Sequence, residues 1–311
     1  MKLKNIKEFF VNPVARFDIL SSRGLLDWMD DETYLRKYYK LRMGKELNLE
    51  NPQTFNEKLQ WLKLHDRKDI YTTMVDKYEV KKYVSNIIGE QYIIPTYGVW
   101  DRFDDIDFDS LPEQFVLKCT HDSGGLIIVR DKSKLDIKAA KKKINKCLKR
   151  NYYSHGREWP YKNVKPRIIA EKYMEDKGRI VPEDYKIYCL NGKPKYIVVF
   201  HNRFDPTKEK SETVYDTEWK PQGISLDEHF KISDEITERP KCLNELLTIS
   251  TAMCKNHSEV RCDFYVIENR IYFGEITLHT ASGFQPMIPR EIDDILGKEL
   301  VLSINDVWGG I

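Results

Sequence analysis

The chain has 311 residues, 41% hydrophobic and 32% charged, with 15 glycines and 13 prolines spread along it; this excludes a stapled mini-protein and a disordered or collagen-like chain, and allows two or three lobes around sizeable cores. Fifty-one Lys and Arg against 49 Asp and Glu leave a formal charge of +2, which argues against nucleic acid as a partner and confines any anion site to a local cluster. Cys119, Cys147, Cys189, Cys242, Cys254 and Cys262 form no CxxC pair, so neither a zinc site nor a disulfide framework is expected, and reduced thiols in a cytoplasmic protein are.

Residues 1–70 read as a helical extension. Lys7, Glu8, Asn12 and Pro13 break the first apolar stretch well short of a signal sequence, and no apolar run approaches a membrane span. Leu3, Ile6, Phe9 and Phe10 amid Lys2, Lys4 and Lys7 are expected to pack on the body of the protein, peripheral contact with the inner face of a membrane being the other reading. Asp31 is placed to cap TYLRKYYKLRMG, and Thr54 opens FNEKLQWLKLHD with Phe55, Leu59 and Leu62 at helical spacing. Residues 71–110 read as a helix over 76–86, a β-rich run toward Trp100 and an acidic connection. Over 111–170 the strands FVLKCT and LIIVRD flank HDSGG, and Ser133 is expected to cap a helix with Leu135, Ala140, Ile144, Cys147 and Leu148 inside and lysines outside. In 171–311, DYKIYC and KPKYIVVF meet at Asn191-Gly192, a hairpin signal. A connection over 201–240, the helix KCLNELLTISTAMCKN, two strands in RCDFYVIENRIYFGEIT and a last helix around IDDILGKELVLSI complete the chain.

Three constellations carry chemistry. Asp263 and Glu275 sit in apolar strands, where two neighbouring carboxylates repel unless a cation lies between them. If Glu268, Asn269 and Arg270 form a three-residue loop, 263 lies opposite 275 on one face, whereas a two-residue turn would separate them. The first register resembles a magnesium site; the second leaves two surface carboxylates. Lys118 stands in mid-strand before His121-Asp122-Ser123-Gly124-Gly125: a point charge beside backbone that can approach phosphate, or an ordinary hairpin, with no Walker sequence following. Glu171-Lys172-Tyr173-Met174 ends the strand RIIA, with Glu175 and Asp176 next, a pattern open to a purine edge and a ribose but common to many edge strands.

The order of these features resembles the ATP-grasp superfamily. The segments VDKYEVKKYV, IIPTYGVWD, FVLKCTHDSGG, KRNYYSHGREWPYKN, PRIIAEKY, DYKIYCLNGKPKYI and IYFGEIT with SGF look more closely like its TupA-like, teichuronopeptide-biosynthesis subfamily, from about Asn51 to Gly297. The resemblance implies an α+β fold whose two lobes clamp ATP, with ATP and Mg2+ as cofactors. It assigns Lys118 to the α- and β-phosphates, Ser123, Gly124 and Gly125 to a lid, and Glu171, Lys172, Tyr173 and Met174 to the adenine hinge. Asp176 or Glu175 would take the ribose, Lys186 a phosphate, Asp263 and Glu275 the metal, and Arg261 the transferring phosphoryl group. Thr277 stands where the metal pattern has Asn, so a second metal would be held less firmly. His279 follows where a Pro-Gly turn is common, and is either an acceptor contact or a loop histidine. The implied activity is carboxylate–amine ligation through an acyl phosphate, joining an amino acid or peptide to a uronic acid carried by a nucleotide, lipid or polymer in surface-polysaccharide synthesis, with Tyr152 to Trp159 suited to sugar and carboxylate contacts. A glycosyltransferase, a kinase of the same fold and a polysaccharide-binding protein are the alternatives.

Overall fold

The computed structural model describes residues 8–175, 183–202 and 207–302. Local side-chain chemistry starts its first helices. Asn12 accepts from the Val14 and Ala15 N–H groups, with a proline at the first position, to open α1 (Pro13–Ser21). Asp30, one residue before the expected cap, accepts from Thr33 N–H to open α2 (Asp31–Met43), leaving Asp31 in the first turn, where negative charge suits the helix dipole. Gly44, at φ 73°, ends it in the left-handed region. Thr54 and Glu57 form a reciprocal capping box on α3 (Phe55–His65). Two shorter helices follow, α4 (Ile70–Val75) and α5 (Glu79–Ile88).

The first sheet has four antiparallel strands. β1 (Thr96–Trp100), β2 (Phe115–Cys119), β3 (Leu126–Val129) and β4 (Ile168–Lys172) run in the order β1-β4-β2-β3. Between β3 and β4 lies α6 (Ile137–Leu148), whose Ala140, Ile144 and Cys147 pack on Phe115, Leu117 and Cys119 of β2. Its cap is Asp136 rather than Ser133, which sits in a separate 3-10 turn held by Asp131.

The second sheet has six strands. β5 (Glu183–Leu190), β6 (Lys193–His201), β7 (Ser211–Tyr215), β8 (Lys231–Ile232), β9 (Glu259–Ile267) and β10 (Arg270–Thr277) take the order β10-β9-β5-β6-β7-β8. The Asn191-Gly192 turn, with both residues at positive φ, joins β5 to β6 as expected. β7 lies inside the segment read as a connection; it adds to the sheet by pairing with β6. One face, including Ile187, Ile197, Cys262 and Phe264, packs against α7 (Leu243–Cys254), α4 and α5. The other buries Tyr188, Leu190, Val198 and Val214 under α3 and α8 (Glu291–Glu299). The supposed extension is therefore a wall of the C-terminal core: truncating its fully buried Leu59 to Ala would cost roughly 2–5 kcal/mol. All six cysteines are free and buried. Among the described residues, no helix is long and apolar enough to cross a membrane.

The β9–β10 hairpin sets the site, and by a different route from the one expected. Its turn has two residues, Glu268 at φ 49° and Asn269 at φ 63°, so Ile267 pairs with Arg270. Without an irregularity that turn would separate Asp263 from Glu275. A bulge between Phe273 and Glu275 adds the missing residue, Gly274, and restores Glu275 opposite Asp263. The core residues record the shift of parity: Ile271 and Phe273 precede the bulge, Ile276 and Leu278 follow it. Glycine suits position 274, because a Cβ there would come 3.0 Å from the Asp263 carbonyl oxygen.

Candidate active site

A cavity of about 240 Å3 opens between the two sheets. From the four-stranded side it is lined by Lys118, Asp122, Ser123 and Gly125; from the chain leaving β4 by Lys172, Tyr173 and Met174; and from the six-stranded side by Asp184, Lys186, Asp263, Tyr265, Gly274 and Glu275. Residues more than a hundred positions apart thus share one cleft. The placement follows from strand alternation: Cys262 and Phe264 face the core, so Asp263 and Tyr265 face the cleft.

On the first wall, Lys118 is held by Glu171 at 2.6 Å, and Glu171 also takes Lys81 of α5 at 2.5 Å. Burial alone would raise the Glu171 carboxyl, but Lys118 and Lys81 hold it below its ordinary range. Burial alone would likewise lower Lys118, yet Glu171 and more distant anions keep its ammonium charged well above the usual range. The Glu171 side chain therefore holds Lys118 in place and does not itself line the cleft, whereas Lys172, Tyr173 and Met174 do. Asp176 lies outside the described residues.

On the opposite wall, Asp263 is 3% exposed and encircled by cations. Arg261 donates from Nε to Oδ1 at 2.7 Å and from Nη2 to Oδ2 at 2.8 Å, and Lys186 pairs with Oδ2 as well. Lys186 in turn reaches Asp184 at 3.0 Å. Burial opposes ionisation of Asp263, but Arg261 and Lys186 outweigh it and hold the carboxyl well below its ordinary value. Glu275 is the more open carboxylate, 41% exposed, with Arg261 at 3.6 Å and Lys77 at 3.8 Å. Thr277 accepts from Arg261 Nη2 at 3.0 Å and is not on the cavity wall. Its hydroxyl thus steadies the guanidinium. Arg261 too stands beside the wall, bound to Asp263, Glu275 and Thr277.

The glycines of the loop after β2 have a structural reason that the sequence did not show. A Cβ on Gly125 would fall 2.5 Å from Cys119 Sγ, and one on Gly124 would fall 2.6 Å from Arg150 Nη2. Gly124 does not line the cleft; Ser123 and Gly125 do. His279 is buried, donates its N–H to Glu259 at 2.9 Å, and is drawn down to about 3 by burial with Lys63 and Arg67 nearby. It is a neutral loop histidine outside the walls of the cleft. In the aromatic segment, Arg157 is 1% exposed and bound to Asp27 and Leu26, and Glu158 is also buried, so neither is free to meet a sugar.

Several contributors were missed: Lys77 and Lys81, one turn apart on the DKYEVKKYV segment, Asp184, and Tyr265. The four-residue spacing of the two lysines was the available signal.

The donor set fits a nucleotide and its divalent cation. Lys118 and Lys186 present ammonium groups for phosphate, and Asp263 and Glu275 offer oxygen ligands from adjacent strands. Among the described residues no three His, Cys, Asp or Glu side chains converge. Of the carboxylates that border the cleft, Asp122, Asp184, Asp263 and Glu275, the pair on adjacent strands, Asp263 and Glu275, would suit Mg2+, which takes one or two carboxylates when phosphate and water complete its shell.

The profile of a family described as TupA-like ATPgrasp matches residues 57–301. No curated protein matches the chain. Among solved structures, D-alanine–D-alanine ligase from Bacillus anthracis complexed with ATP is 19% identical over 66% of this chain and 54% of its own, with a TM-score of 0.39. The chain therefore spans about half the length of that ligase. D-alanine–D-alanine ligase from Helicobacter pylori is 13% identical over 79% of this chain and 69% of its own, TM-score 0.42. N5-carboxyaminoimidazole synthetase from Staphylococcus aureus is 14% identical over 74% and 53%, TM-score 0.41. With its profile matched over most of its length, the chain belongs to the TupA-like ATPgrasp family and has that family's α+β ATP-grasp fold.

Proposed function

We propose that the protein is an ATP-dependent carboxylate–amine ligase. The observation that carries this reading is the cleft itself, in which Lys118 of the four-stranded sheet faces Lys186 and the carboxylates of Asp263 and Glu275 on the six-stranded sheet. Lys118 and Lys186 bind the polyphosphate, Glu171 positions Lys118, and Tyr173 and Met174 pack against the base. Ser123 and Gly125, with Gly124 in the turn between them, cover the phosphates. Asp263 and Glu275 would hold Mg2+, which when bound neutralises charge on the phosphates. Arg261 steadies the transferring group.

A carboxylate oxygen attacks the γ-phosphorus and ADP leaves; an amine then attacks the acyl carbon, loses its proton, and phosphate leaves. The carboxylate needs this activation because its own charge opposes attack and oxide is a poor leaving group. We assign the carboxylate to a uronic acid of a surface polysaccharide precursor and the amine to an amino acid or peptide, at the cytoplasmic side of the envelope. Hydroxylamine tests the reaction class: with Mg·ATP and a panel of nucleotide-linked uronic acids it should yield a hydroxamate and ADP in equal amounts. Sugar transfer without ADP, or ADP with a stable phosphorylated sugar and no hydroxamate, would replace the ligase by a glycosyltransferase or a kinase.

A further inference from the structure

A second cavity of about 280 Å3 adjoins the nucleotide cleft, and Asp122 and Ser123 belong to the walls of both. One wall is α1, with Asp18 and Ser22; the other is the 150–155 segment, with Arg150, Tyr152 and His155. α1 lies outside the family-matched residues 57–301. The two walls are tied together. Ser21, at the end of α1 and fully buried, donates to the Ser154 carbonyl at 2.6 Å and meets the Tyr34 hydroxyl at 2.5 Å. Tyr152 lines this cavity but not the cleft.

The cavity carries two carboxylates, Asp18 and Asp122, and one guanidinium, Arg150, which Asp122 holds. Asp18 accepts from Tyr38 at 2.5 Å and lies 3.5 Å from His155 Nε2, both through Oδ1. Among the described residues no donor is bonded to its Oδ2. Arg150 uses Nη2 for Asp122 and for Cys147 Sγ, while Nη1 donates to no described residue. A carboxylate from one wall and a guanidinium edge from the other, in a space of this volume, match a small zwitterion.

Building on the ligase reading, we propose that this cavity recognises the amino-acid partner, its ammonium group on Asp18 and its carboxylate on Arg150. A thermal-shift titration of the full chain with the twenty L-amino acids, with and without Mg·ATP, tests it. At least one amino acid should raise the midpoint, and its N-acetyl and methyl-ester forms should not. Asp18→Asn should weaken that response at least tenfold while the Mg·ATP response is kept, and Ser22→Phe, a change at an exposed rim position, should do the same. A protein that responds to Mg·ATP but to no amino acid overturns this inference alone, as do equal binding of the N-acetyl form or unaltered binding by both variants. A protein that responds to neither ligand overturns the ligase reading and this inference with it.

Discussion

Glu171→Gln keeps the shape of a side chain and removes the charge that two lysines share. Glu171 is 4% exposed, with ammonium nitrogens at 2.5 and 2.6 Å. The substitution leaves Lys81 and Lys118, 12% and 20% exposed, facing a neutral amide. Removing one partner of a buried ion pair costs about 3–5 kcal/mol. With an unfolding entropy near 2.1 cal/mol/K per residue, a chain of 311 residues turns that into a fall of about 5–8 °C in thermal midpoint. The pH dependence has a definite sign. Because the lysines hold Glu171 below its ordinary value, its contribution is complete above the unfolded carboxylate pKa of about 4.3 and drains away as acid protonates the folded form. Melting curves of both proteins from pH 8 downward should therefore show a gap that is constant to about pH 5.5 and narrows below about pH 4.5. A gap under about 1 °C at pH 7, or one that widens in acid, would refute the assigned role of Glu171.

Lys118→Ala should abolish nucleotide binding by calorimetry, and it should also lower the midpoint, since Glu171 is then left with Lys81 alone; an unchanged midpoint contradicts the pairing. Gly125→Ala should cost about 1–3 kcal/mol in urea unfolding, because the new Cβ would sit 2.5 Å from Cys119 Sγ. Lys63, fully buried and bound to the carbonyls of Gly156 and Ser282, is drawn down to about 7 by burial. The unfolded chain keeps that proton to about pH 10, so this lysine's contribution to stability rises with pH above 7. The stability difference between wild type and Lys63→Met should grow from pH 7 to pH 9; a flat or shrinking difference counts against it.

The parts of the fold that depend on neighbouring residues were legible in the sequence. The Thr54 helix start, the Asn191-Gly192 turn and the mid-strand Lys118 each act within a few positions, and the structure has them where expected. The juxtaposition of Asp263 with Glu275 was reached through a wrong turn length. The spacing of Ile271, Phe273, Ile276 and Leu278 does carry the bulge, but reading it requires counting core positions along β10 rather than loop residues. Roles set by tertiary contacts were not legible. Glu171 follows an apolar strand as a hinge residue would, and its two lysines come from α5 and β2. Gly125 is required by Cys119 and Cys147 beneath it, which only packing reveals. The helical extension showed its own periodicity but not that Phe55, Leu59 and Leu62 complete the core of the six-stranded sheet.

Calorimetric titration of ATP into wild type and Glu275→Gln, each with and without Mg2+, bears most directly on the pinned triphosphate. Glu275 is 41% exposed and its ion pairs are long, so the substitution should leave folding intact. Wild type should bind ATP at least tenfold more tightly with Mg2+ than without, and the variant should lose that gain. Equal enhancement by Mg2+ in both proteins, or no heat of ATP binding in wild type, would contradict the account.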